Sequence, residues 1–196
     1  METKKPRGWH SRGYLPHFDG GENLQFITFH LGDAVPQKVI DGWKLELKHE
    51  EKEEAKKILF WRIEKYVDQG SGACYLRREE IADLVQNSLL HFDKERYKLI
   101  SWVIMPNHVH LLLRPLENIA LEDILHSIKS YTSIKINRLL NRTGNFWQVD
   151  YFDRFIRNHE HFEKTINYIE LNPVKAKLCE KPSDWKFSSA YFNRIT

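Results

Sequence analysis

A chain of 196 residues with 29% charged and 41% hydrophobic side chains has the length and balance of one folded domain with a sizeable core. No apolar run approaches the ~20 residues that span a bilayer, and Met1-Glu2-Thr3-Lys4-Lys5-Pro6-Arg7 lacks the apolar stretch of a secretory leader; with Cys74 and Cys179 isolated, free thiols in a reducing cytoplasm are expected rather than a disulfide framework or a zinc cluster. The net charge of +3 does not demand a nucleic-acid partner, but all of it falls in residues 101–196, where 13 Lys and Arg meet 10 Asp and Glu, so a basic footprint there is allowed.

A single domain over 1–196 is expected, of which 1–13, with Lys4, Lys5, Arg7 and Arg12, reads as a flexible basic arm. Gln25–Leu31 is rich in β-branched and aromatic residues between Gly20-Gly21 and Gly32-Asp33, and reads as a first strand. A long helical region follows from about Pro36 to about Gln69, with Gly42 its weak point. Its centre, Lys48 to Lys57, sets opposite charges three and four apart, the pattern of a solvated helix face. After the break at Gly70-Ser71-Gly72 a shorter helix spans about Arg78 to Phe92, with Ile81, Leu84, Val85, Leu89 and Phe92 at helical spacing.

Leu99–Ile104 is apolar apart from Ser101 and reads as a central strand, and Pro106-Asn107 turns it into a second strand, His108–Arg114. A third helix covers about Leu121 to Leu140, with Lys129, Lys135 and Arg138 opposite its apolar stripe. Phe152–Ile156 is the last strand and about His159 to Asn172 the last helix. With the helix at 78–92 set aside, the order is β-α-β-β-α-β and then a helix. That is an α+β, ferredoxin-like pattern, an antiparallel sheet with helices on one face and the last helix free to lie over the other.

His108-Val109-His110 puts two imidazoles on one face of a strand, while Val109, Leu111 and Leu113 form an apolar stripe on the opposite face. The pair reads as two metal ligands or as two polar residues on a wet face, and spacing alone does not choose. On the last helix, Tyr168 stands about 100° from Ile169 of the apolar stripe, and Asn172 shares its face one turn later. Asn172 would complete a three-ligand site and Tyr168 would aim at a phosphate; the plainer reading is a half-buried tyrosine beside a helix-ending Asn-Pro. Pro173 also disfavours helical geometry at Asn172.

Gly13-Tyr14-Leu15-Pro16-His17-Phe18, Phe26-Ile27-Thr28-Phe29, Trp102-Val103-Ile104-Met105-Pro106-Asn107-His108-Val109-His110, Phe146-Trp147-Gln148, Tyr151-Phe152-Asp153-Arg154 and Tyr168-Ile169-Glu170-Leu171-Asn172-Pro173-Val174-Lys175-Ala176 stand in this order. Over about Tyr14 to Ala190 the chain thereby resembles the single-tyrosine, His-hydrophobic-His transposases of the IS200 type, in particular the branch called REP-associated tyrosine transposases. The resemblance implies a ferredoxin-like nuclease acting on single-stranded DNA beside a hairpin. By position, His108, His110 and Asn172 match the ligands of a divalent metal, Mg²⁺ or Mn²⁺, and Tyr168 matches the nucleophile that forms a 5′-phosphotyrosine. Two departures are Lys177, where many relatives have Gly, and His30, where Arg is common.

On this reading Lys129, Arg138, Arg154 and Arg157 are expected on DNA phosphates, with Trp147, Tyr151 or Phe152 stacking on bases. No general base is evident; His161 lies about two turns before Tyr168. The alternatives are a non-catalytic hairpin-binding regulator descended from a transposase, and a metal-dependent hydrolase that uses water instead of tyrosine. Monomer and homodimer both fit the sequence, and Trp185 anchoring a short tail favours a self-contained site.

Overall fold

The computed structural model describes residues 8–11, 16–19 and 21–195. Lys4, Lys5, Arg7 and Arg12 of the expected arm, and Gly13, Tyr14 and Leu15, lie outside the described residues. Within the same stretch, Gly8–Ser11 (β1) pairs antiparallel with Pro16–Asp19 (β2), so this part is paired strand.

Strict side-chain alternation creates the main sheet. Gln25–His30 (β3), Tyr97–Ile104 (β4), His108–Pro115 (β5) and Phe152–Phe155 (β6) form one antiparallel sheet in the order β4-β5-β3-β6. This is the strand order of the ferredoxin-like pattern. Ile27 and Phe29 of β3, Trp102 and Ile104 of β4, and Val109, Leu111 and Leu113 of β5 face one apolar layer, while Phe26, Val103 and Leu112 face a second. In β4 the phase changes at a bulge: Leu99 opposes Leu113 but Ser101 opposes Leu112, leaving Ile100 as the extra residue. The run therefore looks continuously apolar in sequence although its residues serve two faces.

Gln37–Glu46 (α1), Lys52–Val67 (α2), Glu79–His91 (α3), Leu121–Leu139 (α4), His159–Lys175 (α5) and Ser189–Ile195 (α6) are the helices. The first layer is closed by α3 and α4, which bury Ile81, Val85 and Leu89 against Ile124, Leu125 and Ile128. The helix set aside in the sequence pattern is thus one of the two that cover this face. The region read as one helix, 36–69, is two, and α2 begins where the Glu51 carboxylate accepts a hydrogen bond from the Glu54 amide. It runs past the ends of β3, β5 and β6, giving Leu59, Ile63 and Val67 to the first layer and Phe60 to the second.

The second face is covered by α5 through Phe162, Ile166 and Ile169. Beyond it, Trp185 donates from Nε1 to the Ile104 carbonyl, the Ile104 amide donates to the Phe187 carbonyl, and Ser188 bridges to Val103. The outer edge of β4 is thereby paired rather than open. Cys74 and Cys179 are free, and no helix among the described residues is long and apolar enough to cross a membrane.

Pro173 does not end α5, which continues to Lys175 with Asn172 buried inside it. A proline removes one donor, here the one that would reach the Ile169 carbonyl, and the packed face holds the helix through that gap. It closes instead with amides of Lys177 and Leu178 donating to the carbonyls of Val174 and Pro173, a Schellman turn. Lys177 occupies its left-handed position, φ +58°, which favours glycine because a Cβ is strained there. Lys177→Gly should stabilise the protein by about 1 kcal/mol, read as a higher urea midpoint at unchanged slope. Loss of stability would mean that the lysine side chain contributes more than its backbone strain removes.

Candidate active site

The register of β3 on β5 sets Thr28 opposite His110 and His30 opposite His108, and alternation turns all four toward the α5 side. All are buried. Asn107 then fixes the first imidazole. Its Nδ2 donates to the carbonyls of Val67 (2.9 Å) and Ser71 (2.8 Å), which leaves Oδ1 to accept from His108 Nδ1 at 2.8 Å. His108 therefore carries its lone pair on Nε2. His110 Nδ1 is engaged in the same way by Thr28 Oγ1 at 2.8 Å, and the two Nε2 atoms stand 3.1 Å apart. Two lone pairs at that separation repel unless a positive centre lies between them. Burial keeps both rings neutral. It pushes His110 down to about 4, against the pull of Glu64, and it takes His108 well below its ordinary value, the His110 ring adding and Glu64 opposing.

Helix α5 supplies the next two groups. Asn158 caps it by accepting from the His161 amide at 2.8 Å, and one turn separates Tyr168 from Asn172 on its inner side. Asn172 is buried, with Nδ2 donating to His110 Nε2 at 3.2 Å, while its Oδ1 is buried with no partner at all. An unsatisfied carbonyl of that kind costs about 1–3 kcal/mol. The Tyr168 ring lies edge-on to His110, 5.2 Å between centroids.

The tyrosine hydroxyl ends on a residue the sequence reading passed over. It donates to Glu64 Oε2 of α2 at 2.6 Å. The same oxygen is 3.5 Å from His110 Nε2, and Oε1 is 3.3 Å from His30 Nε2. Burial alone would raise the Glu64 pKa, but the His110 ring, the hydrogen bond from His30 and the His108 ring outweigh it and bring the carboxyl to about 2. Tyr168 is driven the other way, well above the usual phenol range, by burial and then by the Glu64 charge. Asp68, one turn after Glu64, is raised to about 6 by burial and by Glu64, with Oδ1 3.9 Å from His108 Nε2. A signal for Glu64 existed: it falls beside the stripe Leu59, Ile63 and Val67, four residues after Phe60, so a helix that buries Phe60 buries it too.

Among the described residues no group of three or more His, Cys, Asp and Glu side chains is arranged as a metal site. The set that fits a hard divalent cation is mixed: two inward imidazole nitrogens and the orphaned Asn172 oxygen, beside an ionised carboxylate. All of these come from one chain.

The residues expected on DNA separate into two groups. Arg154 and Arg157 are exposed and line a groove of about 620 Å³ between α2 and α5 that ends at Tyr168. Lys129 and Arg138 sit on α4, behind the sheet, and Lys129 Nζ is tied to the Val149 carbonyl at 2.9 Å. Trp147 and Tyr151 are core residues. The Trp147 ring packs edge-on to Phe29 at 4.8 Å and donates from Nε1 to Thr132 Oγ1, and Tyr151 is buried in the same layer. Neither leaves a face for a base, which corrects the expectation from sequence: both follow a loop that returns under α4 rather than over the site. Phe152, half-buried, does line the groove, as does His161, whose Nδ1 accepts from the Arg157 amide at 3.3 Å.

Asp68 gives a test of these electrostatics. Its folded pKa is raised, so folding disfavours its ionised form; the penalty is absent well below pH 4 and complete above about pH 6. The side chain is 41% exposed, so after screening Asp68→Asn should stabilise the metal-free protein by on the order of 1 kcal/mol at pH 7. Urea melts at about pH 3.5 should show no gain; an equal gain at both values would contradict this account.

A family model described as "Transposase IS200 like" matches residues 76–172, a segment that holds β5 and most of α5 and leaves out α1 and α2. A REP-associated tyrosine transposase of Escherichia coli is 27% identical over 109 residues, 54% of this chain and 62% of that protein. A match from Haemophilus influenzae is 26% identical over 103 residues, 47% of this chain and 58% of the relative. The chain thus spans about three fifths of the length of the curated relatives it matches. A solved structure of a REP-associated tyrosine transposase bound to a REP hairpin superposes with a TM-score of 0.57 at 17% identity, covering 95% of this chain and 84% of that one, which establishes the shared fold. The matched segment contains His108, His110, Tyr168 and Asn172 together, so over these residues the chain is similar to the IS200-like transposases.

Proposed function

We propose that this chain is a metal-dependent endonuclease and strand transferase that cuts single-stranded DNA beside a hairpin, with Tyr168 as nucleophile. The observation that carries the reading is the convergence, within one chain, of the paired Nε2 atoms, the orphaned Asn172 Oδ1 and the Tyr168 hydroxyl. The similarity of residues 76–172 to the IS200-like transposases and a structural neighbour bound to a hairpin support the substrate class. Such a site acts where DNA and free thiols coexist, which in a bacterial cell is the cytoplasm.

His108, His110 and Asn172 would hold Mg²⁺ or Mn²⁺, which when bound supplies Lewis-acid neutralisation of charge building on the phosphate and orients it. The chain's own residues do the rest. Tyr168 Oη attacks phosphorus; the Tyr–O–P bond forms, the P–O3′ bond breaks, and the 3′-oxygen takes a proton from solvent. Glu64 Oε2, already accepting the phenol hydrogen at 2.6 Å, orients the hydroxyl, and the phenol proton leaves through this contact to solvent as attack proceeds. Forming a phosphotyrosine conserves the diester bond energy, so the same residues can rejoin strands. Asn107 and Thr28 keep both imidazoles turned inward. His161 is not needed as the base.

The test is a denaturing gel with labelled hairpin DNA carrying a single-stranded flank, with Mn²⁺ or with chelator. The wild-type protein should give a covalent protein–DNA band that requires metal. Tyr168→Phe should lose the band entirely and bind the same DNA within about twofold. Cleavage without an adduct would replace this reading with a hydrolase that uses water, and binding without cleavage across hairpins would replace it with a non-catalytic regulator.

A further inference from the structure

The groove between α2 and α5 has a feature that the transposase reading does not call for. One wall is α2, which lies outside the segment matched by the family model, and it presents Trp61 with 57% of its surface exposed. We propose that this groove is a subsite for one unpaired nucleotide next to the scissile phosphate, its base stacked on Trp61 and its outer phosphate held by Arg154 and Arg157. The proposal rests on Tyr168 acting on single-stranded DNA, and it adds where the strand lies.

Trp61 is oriented for this. Its indole is edge-on to the Tyr168 ring, 6.1 Å between centroids at 82°, so a base lying on the indole stands beside that ring. Phe60 backs it from below, edge-on to Trp61 at 5.1 Å and stacked on Phe152 at 3.8 Å. A rigid aromatic base therefore holds the exposed ring in place. An indole face accepts any base, but only one not buried in a duplex.

The charge around it is complementary. Arg154 and Arg157 make no ion pair with any described residue, whereas Lys164 of the same groove is neutralised by Glu160 at 2.6 Å. His161, between them, is disfavoured as a cation by burial and then by Arg154, Arg157 and Lys164. With Lys56, Lys57, Arg154, Arg157 and Lys164 against Asp153 and Glu160, the groove that Tyr168 also lines is net positive. A volume of about 620 Å³ suits one nucleotide with its flanking phosphates and lies within the usual range for small-ligand pockets.

The test is fluorescence anisotropy in EDTA, with a blunt labelled DNA hairpin and the same hairpin carrying about six unpaired thymidines on its 5′ or 3′ side. The wild-type protein should prefer one flanked hairpin. Trp61→Ala should weaken that complex about tenfold while leaving the blunt hairpin unchanged, and Trp61→Phe should recover most of the loss. Arg157→Gln should weaken the flanked complex with a shallower salt dependence. Equal binding of flanked DNA by wild type and Trp61→Ala, with both folded by circular dichroism, would overturn the subsite and leave the nuclease reading intact. Wild-type protein that binds none of the three DNAs would overturn both.

Discussion

The antiparallel pairing of β3 with β5 is the constraint from which the rest of the site follows. Its register alone decides that Thr28 meets His110 and that both histidines share a face with His30. A slip of one residue would turn the imidazoles into the apolar layer under α3 and α4 and bring Val109 and Leu111 out to α5. Two apolar stripes prevent that slip, Ile27 with Phe29 on one strand and Val109, Leu111 and Leu113 on the other. Packing on the far side of the sheet therefore holds the chemistry on the near side. The site is as rigid as the core beneath it.

On that near side, polar groups are buried in an unusual concentration, and each has a named partner until the centre is reached. Asn107 is satisfied by two carbonyls and an imidazole, His110 by Thr28, and Glu64 by Tyr168 and His30. What is left over points inward: two facing nitrogen lone pairs and one amide oxygen. Unmade interactions at the focus of a satisfied network are what a preorganised cation site needs, since binding then requires little rearrangement. Helix α2 takes part in two ways, through the Val67 carbonyl that fixes Asn107 and through Glu64.

The sheet, its order and the placement of α5 were legible because they depend on local periodicity and turn chemistry. The roles proposed for His108, His110, Tyr168 and Asn172 were legible only through the resemblance, since strand and helix spacing place each pair on a face but do not bring the faces together. Trp147 and Tyr151 misled because an aromatic near Arg and Lys reads the same in sequence whether it lies under a helix or over a groove; Thr132 and Phe29, which decide it, are distant in the chain. Glu64 was missed because its helix opens with a run of mixed charge that reads as solvent-facing. That description holds for Glu54 and Lys57 and fails one turn later, where Phe60 turns inward. Pro173 was read as a stop, although a helix packed along its whole face tolerates one absent donor.

The separations along the chain carry a last consequence. Thr28 reaches His110 across 82 residues, Asn172 reaches His110 across 62, and Glu64 meets Tyr168 across 104. No local fragment holds enough of these groups to form the cluster, and contacts this distant form late because loop closure must come first. A nascent, nicked or partly unfolded copy therefore lacks the assembled constellation, and the buried cluster of imidazoles, amide, carboxylate and phenol arises only with the finished fold.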